Sequence, residues 1–123
     1  MHELIATQNI LNLACQSAMA TQANHVTDVY ITIGQLSDIT PESIQFNFDS
    51  ISRETMCEGA QLHFEHSLVK MKCGDCQSIQ TSNEIMVMCP VCGGEQLEIL
   101  EGNEVRLNRI QAEPTKDLAH TMN

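Results

Sequence analysis

The stretch that decides the fold is Cys73-Gly74-Asp75-Cys76, continued after twelve intervening residues by Cys89-Pro90-Val91-Cys92-Gly93. Two residues between cysteines let one tight turn aim both sulfurs at a single point. Gly74 and Gly93 are small enough to let backbone amides approach the thiolates. Two such turns supply four soft ligands in a tetrahedron, the arrangement zinc takes in closed structural sites. A segment this short has no core of its own, so the bound metal would supply folding free energy. The reading is a small treble-turn or ribbon-like module over 71–95, with zinc on Cys73, Cys76, Cys89 and Cys92. A complete sulfur set leaves no open coordination position, which points to a structural role and not to hydrolysis. Iron uses similar spacing in rubredoxin-like sites and is the rival. A redox C-x-x-C would not need the second pair. Gln77 stands where a glycine usually follows the first pair, and aromatic shielding is almost absent, so zinc is favoured.

Outward from the module, the flanks read as one α+β unit. From Glu3 to about Gln22, Leu4, Leu11, Ala14, Cys15, Ala18 and Met19 recur at helical spacing, with Gln8, Asn12, Gln16 and Gln22 facing water. Asn24 and His25 would end that helix. Val29, Ile31 and Ile33 alternate with Tyr30 and Thr32 in a strand over 26–34. Thr40-Pro41-Glu42 starts a second helix: Thr40 caps, Pro41 suits the first turn, and Glu42 favours its positive end. This helix should run to about Thr55 with Ile44, Phe48 and Ile51 on one face. Residues 61–70 form the next strand. After the cysteines, Leu97, Ile99, Val105, Leu107 and Ile110 suggest one or two strands around Glu101-Gly102-Asn103. The expected fold is two helices packed on a small mixed three-stranded sheet, with an inserted four-cysteine zinc module. Residues 1–70 and 96–112 make the main unit, and 113–123 a loose tail carrying His120.

Composition narrows the function. The chain has 123 residues, no Trp, one Tyr and three Phe, so Phe46, Phe48 and Phe64 are the expected large rings of an otherwise aliphatic core. The formal net charge is −10, and a zinc tetrathiolate would add two further negative charges. Such a chain repels phosphate backbones, and its six Lys and Arg are scattered, which argues against nucleic acid as partner. No signal peptide and no apolar run long enough for a bilayer are read, so a cytoplasmic location and no membrane partner are expected. No nucleophile motif or phosphate-binding glycine loop is found, which speaks against an enzyme. The unpaired Cys15 and Cys57 are read as core residues.

Met1-His2-Glu3 gains interest as a chelate. A bulky second residue generally blocks removal of the initiator Met, leaving the free amine on Met1. That amine, the His2 amide nitrogen and the His2 imidazole can close two fused rings around one metal. Deprotonating an amide favours nickel(II) or copper(II), which gain from planar nitrogen ligands, over zinc. Glu3, another side chain or water could fill a fourth position. A frayed terminus is the plain alternative. His63 and His66 lie three apart on a strand and make no evident pair.

Together these residues resemble the HypA/HybF family of hydrogenase nickel-incorporation chaperones. The resemblance runs from Met1-His2-Glu3 through Gly34-Gln35-Leu36-Ser37, Phe46-Asn47-Phe48, Thr55 and Glu58-Gly59-Ala60-Gln61-Leu62. It continues over both cysteine pairs to the strand region 97–110. It implies a nickel-binding α/β domain and a zinc domain, with nickel on the Met1 amine and His2 and with Glu3 beside or in the site. It further implies delivery of Ni(II) to the large subunit of [NiFe]-hydrogenase with a partner GTPase, HypB. Similar proteins also serve urease maturation in some organisms. The other function open to the sequence is an acidic zinc-ribbon adaptor without nickel transfer.

Overall fold

The structure is a computed structural model and describes residues 2–114, with side chains from Glu3 onward. Helix α1 spans His2–Ala20, strand β1 Ala23–Gly34 and helix α2 Pro41–Ile51. Strands β2 (Gln61–Ser67), β3 (Val69–Cys73), β4 (Ile79–Ser82), β5 (Leu97–Glu101) and β6 (Val105–Pro114) follow. They form two three-stranded sheets, ordered β2-β1-β6 and β4-β3-β5. The first is mixed: β1 pairs parallel with β2 and antiparallel with β6. The two helices pack on it, as the apolar spacing implied.

Alternation along β1 sends Val26, Val29, Ile31 and Ile33 into the core, and all four are buried. They meet Ile10, Leu11, Ala14 and Ala18 of α1, Ile44 and Phe48 of α2, and Leu62 of β2. Register shifts within the β1–β6 pair accommodate the departures from strict alternation. Thr40 caps α2 with a hydroxyl that accepts from the Ser43 N–H at 3.1 Å. The Ser43 side chain reaches back to the Thr40 N–H, closing a capping box that the sequence reading saw only in part.

Several boundaries differ from the sequence expectation. Phe46 is 76% exposed and takes no place in the core, because it sits on the face of α2 opposite Ile44 and Phe48. Leu4 and Met19 are likewise exposed, and the buried stripe of α1 runs through Thr7, Ile10, Leu11, Ala14 and Ala18. Asn24 and His25 belong to β1, not to the end of α1. Helix α2 stops at Ile51, not Thr55, and turns follow it to Gly59, whose φ is +79°. The single strand read over 61–70 is two strands in two sheets, broken at Leu68. Leu97–Glu101, assigned above to the main unit, pairs with β3 in the second sheet. Glu113 and Pro114, assigned to the tail, complete β6 against β1. The remainder of the tail, His120 included, lies outside the described residues.

The chain passes between the sheets twice, at Leu68 and at Gly102–Glu104, and the turn after β1 holds both passages. The Gln35 N–H donates to the Ser67 carbonyl at 3.0 Å, the Leu36 N–H to Gly102 at 2.7 Å and the Gly34 N–H to Glu104 at 2.6 Å. A methyl group on Gly34 would overlap the Gly102 carbonyl, so the approach requires glycine. The Glu104 carboxylate accepts from the Gly102 N–H at 2.7 Å and the Ser67 hydroxyl at 2.9 Å. Burial works to raise that carboxyl. Backbone N–H groups, the Ser67 hydroxyl and Arg106 outweigh burial and leave it below its ordinary range.

Candidate functional site

The two cysteine turns repeat one local plan. In the first, the Cys73 N–H donates to the Ser78 carbonyl and the Gln77 N–H to the Cys73 carbonyl, both at 2.9 Å. In the second, the Cys89 N–H donates to Gly94 at 2.8 Å and the Gly93 N–H to Cys89 at 2.9 Å. Gln77 and Gly93 hold equivalent positions, and both have positive φ, +68° and +75°. The left-handed conformation costs an ordinary side chain about 1 kcal/mol that glycine does not incur. Gln77 recovers part of this through an Nε2–H bond to the Gly74 carbonyl at 3.0 Å. Gln77→Gly is therefore expected to stabilise the second sheet by up to ~1 kcal/mol, read as slower metal loss to a competing chelator. A faster loss would show that the side-chain bond outweighs the backbone strain.

These turns bring the four sulfurs together. All four Sγ atoms lie within 4.8 Å of one another. Cys73 and Cys92 Sγ are 3.6 Å apart, and Cys76 and Cys89 Sγ 3.7 Å. A metal–sulfur bond of about 2.3 Å in a regular tetrahedron gives a sulfur–sulfur edge of about 3.8 Å, so the donor set fits such an ion. Cys73 and Cys89 are buried, Cys76 is half-buried and Cys92 is exposed. The sulfurs also accept from main-chain amides: Cys73 from the Cys76 N–H at 3.5 Å, Cys89 from Val91 at 3.4 Å and Cys92 from Gly94 at 3.4 Å. Such bonds spread thiolate charge and orient each ligand.

The Ser78 hydroxyl lies 3.0 Å from the Cys76 sulfur and 3.6 Å from that of Cys89. The sequence reading missed this residue. Its signal was a hydroxyl two positions after a ligand cysteine. The backbone N–H of Cys92, then the Ser78 hydroxyl, pull the Cys89 thiol down to about 6. Ser78 also lowers Cys76. Cys92 goes the other way. The Gly94 N–H favours its thiolate, but the neighbouring Cys73 and Cys76 sulfurs outweigh that bond and push it up to about 12. Four thiolates at one point repel one another, and only a cation at the centre lets them ionise together.

At the other end of the chain, helix α1 begins at His2. Met1 and the His2 side chain lie outside the described residues. Glu3 is half-buried, and its carbonyl accepts from the hydroxyl of the fully buried Thr7 at 2.5 Å. This bond ties the first turn of α1 to the core.

His63 sits on the side of the first sheet away from the helices. Its Nε2 is 2.8 Å from Asp28 Oδ1, and its ring stacks on Tyr30 with centroids 4.4 Å apart. The Arg109 guanidinium covers the Tyr30 ring at 3.7 Å. The hydrogen bond to His63 leads the forces that lower the Asp28 carboxyl. His63 is thus paired with Asp28, and His66 is exposed at the end of β2. Among the described residues the four cysteines are the one group of three or more metal-ligating side chains, and no helix is long and apolar enough to cross a membrane.

Comparison with known proteins extends the similarity over the chain. The model of a family described as "Hydrogenase/urease nickel incorporation, metallochaperone, hypA" matches residues 1–112. The hydrogenase maturation factor HypA of Aeromonas salmonicida (strain A449) is 34% identical over 111 residues, covering 90% of this chain and 98% of that one. The factor of the same name from Moorella thermoacetica is 31% identical over 113 residues, covering 92% of this chain and 100% of that one. The solution structure of the Ni metallochaperone HypA from Helicobacter pylori shares the fold, with a TM-score of 0.75 at 23% identity, over 92% of this chain and 98% of that one. With its two helices, two small sheets and sulfur cluster, this chain belongs to the HypA family of hydrogenase-maturation, nickel-incorporation metallochaperones.

Proposed function

We propose that the protein carries Ni(II) on its N-terminal residues and delivers it to the large subunit of [NiFe]-hydrogenase, while zinc on the four cysteines maintains the second sheet. The observation that carries this reading is the family match, which begins at residue 1 and so includes Met1, His2 and Glu3. The first sheet with its helices is the nickel unit. The second sheet is the zinc unit. The protein acts as a carrier and not as an enzyme. It works in the cytoplasm with a maturation GTPase of the HypB kind, and urease maturation is a second destination.

The start of α1 suits a cargo site. The first four N–H groups of a helix have no intrahelical acceptor. The His2 N–H is among them, because α1 begins at that residue. Giving up its proton to bind nickel therefore breaks no helical hydrogen bond. The negative amide then sits at the positive end of the helix, where charge of that sign is favoured. The Met1 amine and the His2 imidazole complete two fused rings, and Glu3 offers a carboxylate beside them. Protonating the amine or the imidazole opens the chelate, so the nickel can be held selectively and still be released.

The test is an N-terminal extension. In a chain with two residues added before Met1 the Met1 amine becomes a peptide amide, and nickel is expected to bind at least ~10-fold more weakly. Zinc should stay at one per chain, and hydrogenase maturation should fail in cells relying on this variant. Unchanged nickel affinity would remove the amine from the site.

A further inference from the structure

Two cysteines remain outside the metal cluster, and the fold brings them together. Cys15 lies in the middle of α1, and Cys57 in the run of turns between α2 and β2. Their sulfurs are 3.6 Å apart, in van der Waals contact. Cys57 is fully buried, whereas Cys15 is half-buried and reachable from solvent. The backbone around Cys57 is held: its N–H donates to the Thr55 hydroxyl at 3.1 Å, its carbonyl accepts from Ala60 at 3.0 Å and the preceding carbonyl accepts from Val26 at 2.8 Å. The pair is therefore fixed side by side. A disulfide needs the sulfurs to close from this contact to about 2.05 Å.

We propose that Cys15 and Cys57 form a redox-modification site, in which a hydroperoxide oxidises Cys15 and Cys57 resolves it into an intramolecular disulfide. The Cys15 thiolate attacks the peroxide O–O bond, giving a sulfenic acid and hydroxide. The Cys57 sulfur then attacks the Cys15 sulfur, and the displaced hydroxyl leaves as water with the Cys57 proton. The hydroxide takes up the proton released when Cys15 ionised. Two thiols lose two electrons in total, and one hydrogen peroxide becomes two waters. The order of reaction follows from burial, which pushes the Cys57 thiol up to about 12 and keeps it protonated until Cys15 has reacted. The product joins α1 to the α2–β2 connection across 42 residues of sequence. Restricting the unfolded chain in this way raises the thermal midpoint.

The sequence supplies the assay. Trypsin cuts after Lys and Arg, which places Cys15 in the peptide 1–53, Cys57 in 54–70 and the four metal-binding cysteines in 73–106. Zinc-loaded full-length protein would be treated with hydrogen peroxide and digested without reduction. The expected product is 1–53 joined to 54–70 and lighter by the two hydrogens lost, with zinc retained and the thermal midpoint raised by ~5 °C or more. In Cys57→Ala, Cys15 should instead accumulate as a sulfenic acid trapped by dimedone. Oxidation confined to 73–106, or Cys15 carried to the sulfinic acid in the unsubstituted chain without joining 54–70, would overturn the proposal.

Discussion

His2→Ala is expected to abolish stoichiometric nickel binding and to leave zinc at one per chain. The substitution removes the imidazole and with it one of the two fused rings, so only the amine and amide nitrogens would hold the metal. Loss of an outer partner of a ligand already costs 10–100-fold in metal affinity. Loss of the ligand itself should exceed ~100-fold. The fold should be unaffected: α1 begins at this residue, and the core of the helix starts with the buried Thr7 and Ile10. Nickel titration with metal analysis on the same sample separates the outcomes. Nickel retained at one per chain would remove His2 from the site, and loss of both metals would point to misfolding.

Removing zinc is expected to unfold the second sheet and leave the first. Strands β3, β4 and β5 have only 5, 4 and 5 residues. Ile79, Ile85, Val87, Met88 and Val91 are exposed, so little apolar surface is buried around them. Structural zinc supplies about 10–16 kcal/mol in small modules, comparable to the whole stability of a domain. Chelation, or Cys73→Ser at the buried end of β3, should strip hydrogen-exchange protection from residues 69–101. Amides of Val29 and Ile31 in β1 should stay protected, since their core is independent of the sulfurs. Equal protection with and without chelator would contradict a structural metal. Affinity should also fall with pH. Without metal, Cys92 holds its proton up to about 12, so binding near neutrality must expel that proton and weakens as pH drops. Below about 6, Cys89 takes up a proton as well, and the fall steepens.

The cysteine cluster was fully legible because ligand spacing is a local property. The helices and β1 were legible because their apolar periods are clear. The sheet change at Leu68 was missed although its mark is present. Buried residues sit at even positions in β2, as with Leu62, and at odd positions in β3, at Val69, Met71 and Cys73. A continuous period of two cannot change parity, so the chain must turn there. Phe46 was placed in the core on composition, yet in α2 it stands two positions from both Ile44 and Phe48, about 200° around a helix of 3.6 residues per turn. The pairing of Cys15 with Cys57 depends on tertiary packing, and no local pattern announces it. Nor could the alternation of β2 show that His63 meets Asp28, because that bond follows from the parallel register with β1.

The pinned double passage between the sheets has a consequence for the order in which the protein is made. Strand β1 is synthesised early, but its antiparallel neighbour β6 emerges last, after the whole sulfur cluster. Joining β1 to β6 as a free chain means closing a loop of some seventy residues. Once zinc has assembled the second sheet, Lys70 lies opposite Glu101, and the two ends of the insertion leave side by side. The chain left between β1 and β6 is then residues 35–69 and 102–104, about half the original loop. On a ribosome, the insertion emerges before β6, so metal loading there would lower the entropic cost of pairing β1 with β6 by about 0.6 kcal/mol.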